Sequence, residues 1–178
     1  MYYSKFLVQC LIILFILSFT NAVKSAEATI TIQENETGFV DFDGDIDSDH
    51  SGFTGDGYVN TPNSSGQSIT WEICVPESGT YSLEWRYAHG KTGDRTAQVE
   101  VDGSVAVSSV SFLPTGSWSS WDNTSSVDLN LSAGTHQILL EATNSGGLAN
   151  IDYIAITGEN PQPGECSGVI PVTGVSVV

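Results

Sequence analysis

Aspartates occupy every second position from residue 41 to residue 49, a spacing at which carboxylates could bind a cation. The five are Asp41, Asp43, Asp45, Asp47 and Asp49. In one extended strand they would share a face, where their mutual repulsion needs water or a cation to screen it. An EF-hand loop requires Gly at its sixth position and Glu at its twelfth, and neither Asp41 nor Asp45 starts a register that supplies both. We therefore interpret the segment as a solvated acidic loop rather than a dedicated metal site.

Basic residues are few and gather in one segment, which could bind an anion. Arg86, Lys91 and Arg95 lie within ten positions of one another, with His89 among them. The cluster either gives a hairpin its surface charge or meets an anionic ligand, and the sequence favours neither interpretation. A guanidinium can hold a carboxylate through two parallel hydrogen bonds. Arg86 is expected to pair with Glu84 or Glu100 across a sheet, so His89 and Arg95 are the better ligand candidates.

No arrangement of residue types indicates catalysis. The three histidines, at 50, 89 and 136, lack the spacing of zinc ligands. The Ser-rich stretches contain no nucleophile elbow. Glycoside hydrolysis needs two carboxyl groups facing each other across a cleft, whereas the acids here cluster in a loop or spread along strands. We predict that the chain is not an enzyme.

The elements that position these residues are β-strands, since period-two alternation recurs between Gly, Asn, Asp and Ser clusters and no helical period is sustained. The clearest strands are Ser68 to Val75, Thr80 to Ala88, Thr96 to Val101, Ser104 to Phe112, Ser126 to Leu131, Thr135 to Thr143 and Asn150 to Thr157, with shorter ones at Ala28 to Gln33 and Gly57 to Thr61. Asp102-Gly103 is typical of a two-residue hairpin turn. Alternation places Trp71 and Trp85 in the core. The pattern predicts an all-β sandwich of eight to ten strands in two antiparallel sheets.

Domain boundaries follow from changes in composition. Residues 1–26 resemble a secretory signal peptide, with Lys5 before an apolar run and small residues at the end. Residues 27–158 form the predicted β-sandwich, 159–168 a Gly- and Pro-rich linker, and 169–178 the start of a further, truncated domain. We therefore expect a secreted monomer with no membrane attachment after signal cleavage.

Net charge excludes one class of partner. Without residues 1–26 the chain keeps three basic and 21 acidic residues, a net charge of −18. Phosphate binding needs clustered Lys and Arg, so nucleic acid is not expected as a partner. The two remaining cysteines, Cys74 and Cys166, lie in a compartment where disulfides persist. Alternation places Cys74 on an exposed face and Cys166 in the tail, and the sequence leaves their pairing open.

Five ordered motifs, taken together, resemble the carbohydrate-binding modules of families 6 and 35. They are Gln33 to Glu36, Gly52 to Val59, Gly79 to Ala88, Thr115 to Trp121 and Gly147 to Ile154. The resemblance covers roughly residues 28 to 158. It implies a jelly-roll sandwich containing a structural calcium, with Glu34, Glu36 and Asp152 as ligands and backbone carbonyls completing the shell. Calcium prefers such hard oxygen ligands. Gln33 and Glu34 could align with the family's acidic pair instead, and Asp152 could merely bond a loop amide.

The same resemblance implies a sugar site among the loops at one end of the sandwich. A pyranose needs an aromatic platform and convergent polar groups. The aromatic positions are matched by Tyr87 and Trp118, and the polar asparagine by Asn144 or Asn150, which flank a Gly-rich loop. Some family 35 relatives bind uronic acids, sometimes through a second calcium, and His89 and Arg95 suit such a ligand. Two interpretations compete with sugar binding. The aromatic residues could simply pack in the core, and the asparagines could simply stabilise turns.

We therefore predict non-catalytic binding of a polysaccharide or oligosaccharide, targeting a secreted polysaccharide-degrading enzyme to plant or algal cell-wall material that contains uronic acid. Two alternatives stay open. One is a structural or adhesive extracellular domain without sugar binding. The other is a part of a polysaccharide lyase or glycoside hydrolase whose catalytic domain lies outside this sequence.

Overall fold

A computed structural model describes residues 26–167, which form thirteen β-strands and no helix. The strands are β1 (Glu27–Gln33), β2 (Phe39–Phe42), β3 (Asp45–Asp47), β4 (Tyr58–Asn60), β5 (Ser68–Val75), β6 (Gly79–Ala88), β7 (Arg95–Val101), β8 (Ser104–Phe112), β9 (Trp121–Asn123), β10 (Val127–Leu131), β11 (Gly134–Ala142), β12 (Asn150–Glu159) and β13 (Gln162–Pro163). In this range no helix is long and apolar enough to cross a membrane. The predicted signal peptide, apart from Ala26, and the predicted further domain at 169–178 lie outside the described residues.

Two antiparallel sheets face each other, which confirms the predicted all-β sandwich. The first sheet has the order β10-β6-β12-β4-β3, with β1 added beside β12 and β9 beside β6. The second has the order β13-β5-β11-β7-β8, with β2 added beside β5. The Asp102-Gly103 turn joins β7 to β8, and both residues have positive φ angles, 52° and 75°. That geometry is the one a two-residue hairpin turn requires.

The inward faces of the sheets enclose one apolar core. Alternation along β6 buries Tyr81, Leu83, Trp85 and Tyr87 and turns the residues between them outward. Trp71 from the opposite sheet is equally buried, as predicted. Burial of apolar area at about 25 cal/mol per Å² drives the two sheets together. The core fixes the strand ends from which the loops project.

The aspartate-rich segment is more ordered than predicted. Its aspartates are exposed or half-buried, but the segment is not only a loop, because it contains the end of β2 and all of β3, joined at Gly44, whose φ is 92°. Its carboxylates accept hydrogen bonds: Asp43 from the Ser68 amide at 2.8 Å and Asp47 from the Asn60 side chain at 2.8 Å. These donors offset the repulsion that the alternating spacing implied. The strands have only four and three residues, too few for alternation to reveal.

The predicted linker, 159–168, is attached to the domain over its described residues. β12 runs to Glu159, and β13 pairs with β5 so that Gln162 lies opposite Cys74. A disulfide joins Cys74 to Cys166, with 4.8 Å between the Cα atoms. The tail therefore covers Cys74, which is 3% exposed rather than the free surface thiol that alternation indicated. A two-residue strand has no periodicity to detect, and this is why composition alone suggested a linker.

The disulfide should contribute measurably to stability, because it closes a loop across 92 positions of sequence. We expect the Cys74→Ser/Cys166→Ser double variant to lose about 2–4 kcal/mol of unfolding free energy, measured by urea denaturation. A reducing agent should lower the stability of the unmodified chain by a similar amount and leave that of the double variant unchanged. An unaltered urea midpoint in the double variant would contradict this.

Candidate functional site

A polar pocket of about 190 Å³ opens among the loops at one end of the sandwich. Its lining comes from the connections between four pairs of strands, β3–β4, β4–β5, β6–β7 and β8–β9. The ends of β4, β7 and β12 also contribute. Its lining residues are His50, Asn60, Asn63, Lys91, Arg95, Trp118 and Asn150. They include two cations and no carboxylate, although the chain as a whole carries a formal charge of −16. We call this cavity the Arg95 pocket.

Arg95 begins β7, and its guanidinium is held by neutral oxygen atoms. Nη1 donates to the Leu148 carbonyl at 2.5 Å, and Nη2 donates to Asn63 Oδ1 at 2.7 Å. The residue is 8% exposed, and burial lowers the pKa of the guanidinium from its usual value. The ion pairs among the described residues do not include it. A nearly buried cation without a carboxylate partner is costly unless a ligand supplies the negative charge.

Trp118, in the β8–β9 loop, forms a half-buried wall of the pocket. The guanidinium carbon of Arg95 lies 5.2 Å from the centroid of the indole ring, a cation–π contact. The rings of His50 and His89 lie 6.4 Å and 5.7 Å away. Gly90 permits this approach, since a Cβ there would lie 2.7 Å from the indole. Trp118 is thus a fixed part of the pocket rather than a free surface platform.

His89 supports the pocket from behind. It is 1% exposed, its Nε2 lies 2.9 Å from the Gly93 carbonyl oxygen, and its Nδ1 lies 3.4 Å from the Lys91 amide. The carbonyl requires a proton on Nε2 and the amide requires an unprotonated Nδ1, so this geometry fits the neutral ring. Burial lowers the pKa of His89, and the charge of Arg95 lowers it further. His89 therefore shapes the β6–β7 loop rather than contributing charge.

A second polar cluster lies where β1 ends and β12 begins. The carboxylates of Glu34 and Asp152 are buried there, and burial raises the pKa of each. Glu34 Oε1 accepts from the amides of Asp56 and Gly57 at 2.8 and 2.6 Å. Asp152 sits at a bulge in β12, accepts from the Thr54 amide at 3.0 Å, and pairs with Arg86. The predicted pairing of Arg86 with Glu84 or Glu100 is wrong.

One atom of this cluster has no partner. Glu34 Oε2 is buried and receives no hydrogen bond from any described residue. Glu36, the third predicted calcium ligand, is exposed, and its carboxylate accepts from the Gln33 amide at 3.0 Å. Within residues 26–167 no three His, Cys, Asp or Glu side chains are grouped closely enough to hold a metal ion. Of the three predicted ligands only Glu34 has a buried oxygen without a partner, whereas Asp152 is buried but already pairs with Arg86.

A family model decides the identity of the fold. Residues 40–158 match the carbohydrate-binding module of family 6. Solved family 35 modules match as well: one from Cellvibrio japonicus is 36% identical with a TM-score of 0.74, and the match covers 78% of this chain and 99% of that module. The chain is a carbohydrate-binding module of the family 6 and family 35 type. Its jelly-roll sandwich and its non-catalytic, carbohydrate-binding function class are thus as predicted.

A sugar complex of one module and a complete enzyme are among the other similar proteins. A structure of Xyl-CBM35 in complex with a glucuronic-acid-containing disaccharide is 37% identical with a TM-score of 0.73, and the match covers 77% of this chain and 99% of that one. Endo-1,4-beta-xylanase B of Cellvibrio japonicus is 38% identical over 141 residues, which are 79% of this chain. The chain spans 23% of the length of that xylanase.

In this module the structure brings together some predicted sugar-binding residues and not others. Arg95, Trp118 and Asn150 line the pocket. Tyr87 does not: it is 4% exposed, packs edge-on against Phe112, and donates its hydroxyl to the Leu113 carbonyl at 3.0 Å. Its alternation with Trp85 already placed it on the core face. Asn144 also departs from the prediction, because its amide bonds Asp94, Thr96 and Gly146 and so orders the turn.

Four pocket residues of the module were absent from the predicted set. They are His50, Asn60, Asn63 and Lys91. Lys91 belongs to the basic cluster, so the sequence carried a signal for it. Asn60, Asn63 and His50 come from the β4–β5 and β3–β4 regions, which approach the pocket only through the fold. Their types alone, two amides and an imidazole in polar loops, gave no reason to group them.

The buried position of His89 predicts unusual titration behaviour. Its ring should protonate at lower pH than an ordinary histidine. Because the unfolded chain then binds the proton more readily than the folded module, this residue makes stability fall as the pH drops through the ordinary histidine range. NMR titration of the histidine ring protons checks the expectation. Protonation of His89 at or above the usual histidine range would contradict its assignment as a neutral, buried ring.

Proposed function

We propose that this module binds acidic, uronic-acid-containing polysaccharide of plant or algal cell walls through the Arg95 pocket. The observation that carries the proposal is the guanidinium of Arg95, nearly buried and held only by neutral oxygens. A ligand carboxylate would supply the negative charge that these contacts lack. A carboxylate and a guanidinium are both planar and can form two parallel hydrogen bonds with each other. Such paired hydrogen bonds are among the strongest available to a protein.

Charge distribution supports an anionic ligand at this place. Lys91 is exposed at the rim and Arg95 lies below it, while no Asp or Glu lines the pocket. The rest of the acidic surface would repel an extended polyanion at distances up to about 10 Å, the Debye length at 0.1 M salt. A single acidic sugar inside the pocket experiences the two nearby cations most strongly. The electrostatics therefore favour a uronic acid over a neutral sugar.

The remaining lining suits sugar hydroxyls and ring faces. Three asparagines, at 60, 63 and 150, line the pocket. Asn60 donates to Asp47 and Asn63 accepts from Arg95, which leaves the Asn60 oxygen and the Asn63 NH₂ group for sugar hydroxyls. Asn150 is 4% exposed, and its side chain makes no hydrogen bond with another described residue. Trp118 offers apolar ring surface to sugar C–H groups. Because the volume of about 190 Å³ is below the ~300–1,000 Å³ of drug-sized sites, we infer that one sugar ring enters.

The biological role that we propose is targeting. The xylanase relative contains a similar module as a minor part of its length, and an alpha-L-arabinofuranosidase of the same organism does as well. By analogy this module would hold a secreted polysaccharide-degrading enzyme, a glycoside hydrolase or lyase, at its substrate. The signal-like residues 1–26 support secretion. In this proposal the module acts as a monomer, without a membrane anchor.

A structural calcium belongs to the proposal. Glu34 and Asp152 would hold it, with Glu34 Oε2 as the free, buried oxygen and backbone carbonyls completing a shell of six to eight oxygens. The ion would compensate the buried charge of Glu34, since Asp152 already pairs with Arg86, and would leave the sugar pocket to other residues. Glu36 is omitted because its carboxylate is exposed and already caps the Gln33 amide.

Arg95→Lys tests the sugar site. Lysine keeps the charge and most of the stem but cannot form the planar fork, so we expect affinity for a glucuronic-acid-containing disaccharide to fall at least about tenfold. Isothermal titration calorimetry measures this. The same disaccharide with its carboxylate reduced to an alcohol should bind more weakly to the unmodified module and lose less on substitution. Equal affinity for the acidic and reduced sugars would rule out a carboxylate-selective pocket.

Chelation tests the calcium proposal. A ligand that binds only the folded module stabilises it by about 2.7 kcal/mol at ~100 times its Kd, so EDTA should lower the Tm of the unmodified module and added calcium should restore it. Glu34→Gln should abolish the calcium response, whereas the matched variant Glu36→Gln should keep it. A Tm that ignores both EDTA and calcium would show that Glu34 and Asp152 hold no structural ion.

A further inference from the structure

Asn63 is an exposed rim residue of the Arg95 pocket that holds the guanidinium without neutralising it. Its side-chain oxygen accepts from Arg95 Nη2 at 2.7 Å. Because a guanidinium can only donate, this contact requires Oδ1 of Asn63 to face Arg95 and turns the NH₂ group away from it. The acceptor is therefore a neutral amide, at a position where an aspartate of nearly the same shape would provide a negative charge.

Close packing of two loops fixes the position of Asn63. Gly147 has a φ of 71°, and a Cβ there would lie 3.1 Å from the Asn63 Cα, so a side chain at 147 would crowd this loop. Thr61, two residues before Asn63, accepts from the Leu148 amide through its hydroxyl at 3.3 Å. The Leu148 carbonyl is the other acceptor of the Arg95 guanidinium. Both acceptors therefore belong to loops that pack directly against each other.

No described carboxylate takes the place of a ligand beside Arg95. Asp94 directly precedes it in sequence, but Asp94 Oδ1 accepts from the Phe112 amide at 2.9 Å. Neither of the ion pairs between residues 26 and 167 contains Arg95, and the lining of the pocket includes no Asp or Glu. A guanidinium has five N–H donors, of which the two neutral acceptors use two. Three donors and the full positive charge are left for a ligand.

We propose that Asn63 is a positioning residue that gives the Arg95 pocket its preference for acidic sugars, because its neutral amide holds the guanidinium in place and leaves the positive charge to the carboxylate of the ligand. The inference rests on the proposed function of that pocket. A carboxylate at position 63 would form the charge-assisted hydrogen bond itself. A ligand carboxylate would then have to displace it and would also be repelled by it, whereas an uncharged sugar would meet neither obstacle.

Asn63→Asp tests the proposal, since it exchanges the NH₂ group for an oxygen atom with little change in shape. Titration calorimetry on the full chain compares the glucuronic-acid-containing disaccharide with its carboxyl-reduced form. The ratio of the two affinities should fall at least about tenfold in this variant. The Tm should stay at or above that of the unmodified chain, because Arg95 gains a charged partner.

Two matched variants separate the charge at position 63 from other effects. Asn63→Ala also removes the NH₂ group but adds no charge, so it should lower the affinity ratio by less than about threefold. Ser64→Asp adds the same charge one residue further along the chain, outside the lining of the pocket. It should likewise keep the preference for the acidic disaccharide.

The outcomes distinguish this inference from the proposed function. If Asn63→Asp keeps the preference of the unmodified module, or if either control loses that preference by tenfold, the role of Asn63 is overturned and acidic-sugar binding stands. An equal loss of affinity for both sugars with a lowered Tm would also overturn it, since that result indicates a structural role alone. Equal affinity of the unmodified module for the two sugars would overturn the proposed function as well.

Discussion

The end of the sandwich that carries the pocket depends on two buried carboxylates, Glu34 and Asp152. Between them they accept the amides of Thr54, Asp56 and Gly57, and so fasten the β3–β4 connection to the ends of β1 and β12. Arg86 completes the attachment by pairing with Asp152 and donating to the Gly52 carbonyl at 3.0 Å. The same connection carries His50 into the pocket. The cluster proposed to hold calcium and the cluster proposed to hold sugar are therefore joined through one short segment.

Function in this molecule follows from where charge is left uncompensated. Most of the acidic surface is solvated or bonded to amides, and Arg86 has a carboxylate of its own. Arg95 differs, because its contacts are a carbonyl, an amide oxygen and the indole of Trp118. These contacts hold the planar guanidinium of Arg95 fixed and desolvated before any ligand binds. Less side-chain entropy is therefore lost when the ligand binds. The pocket is thus preorganised for an anion within a protein that otherwise repels anions.

The fold was predictable from the sequence to a large degree, because long amphipathic strands carry a strong periodic signal. β5 and β8 begin and end at the predicted residues. Strands of two to four residues, such as β13 and β3, contain too few alternations to be recognised. Their existence depends on pairing with β5 and β4, which is long-range information. The disulfide between Cys74 and Cys166 depends on the same pairing.

The candidate site was predictable only where residue type and chain position agreed. Arg95 and Trp118 combined a chemical type suited to sugar acids with a position at a loop. Tyr87 is of a residue type suited to sugar binding, but it lies on the core face of β6. Asn144 lies in a suitable loop, but its side-chain amide is hydrogen-bonded within a turn. His50 and Asn63 reach the pocket from connections far from Arg95 in sequence. No local pattern could group them with it.

The most direct test is to locate the bound sugar. A crystal structure of the module with the glucuronic-acid-containing disaccharide should show the uronate carboxylate within hydrogen-bonding distance of the Arg95 guanidinium, with the ring beside Trp118 and Asn150. A disaccharide bound with its carboxylate away from Arg95, or on the outer face of either sheet, would contradict the account.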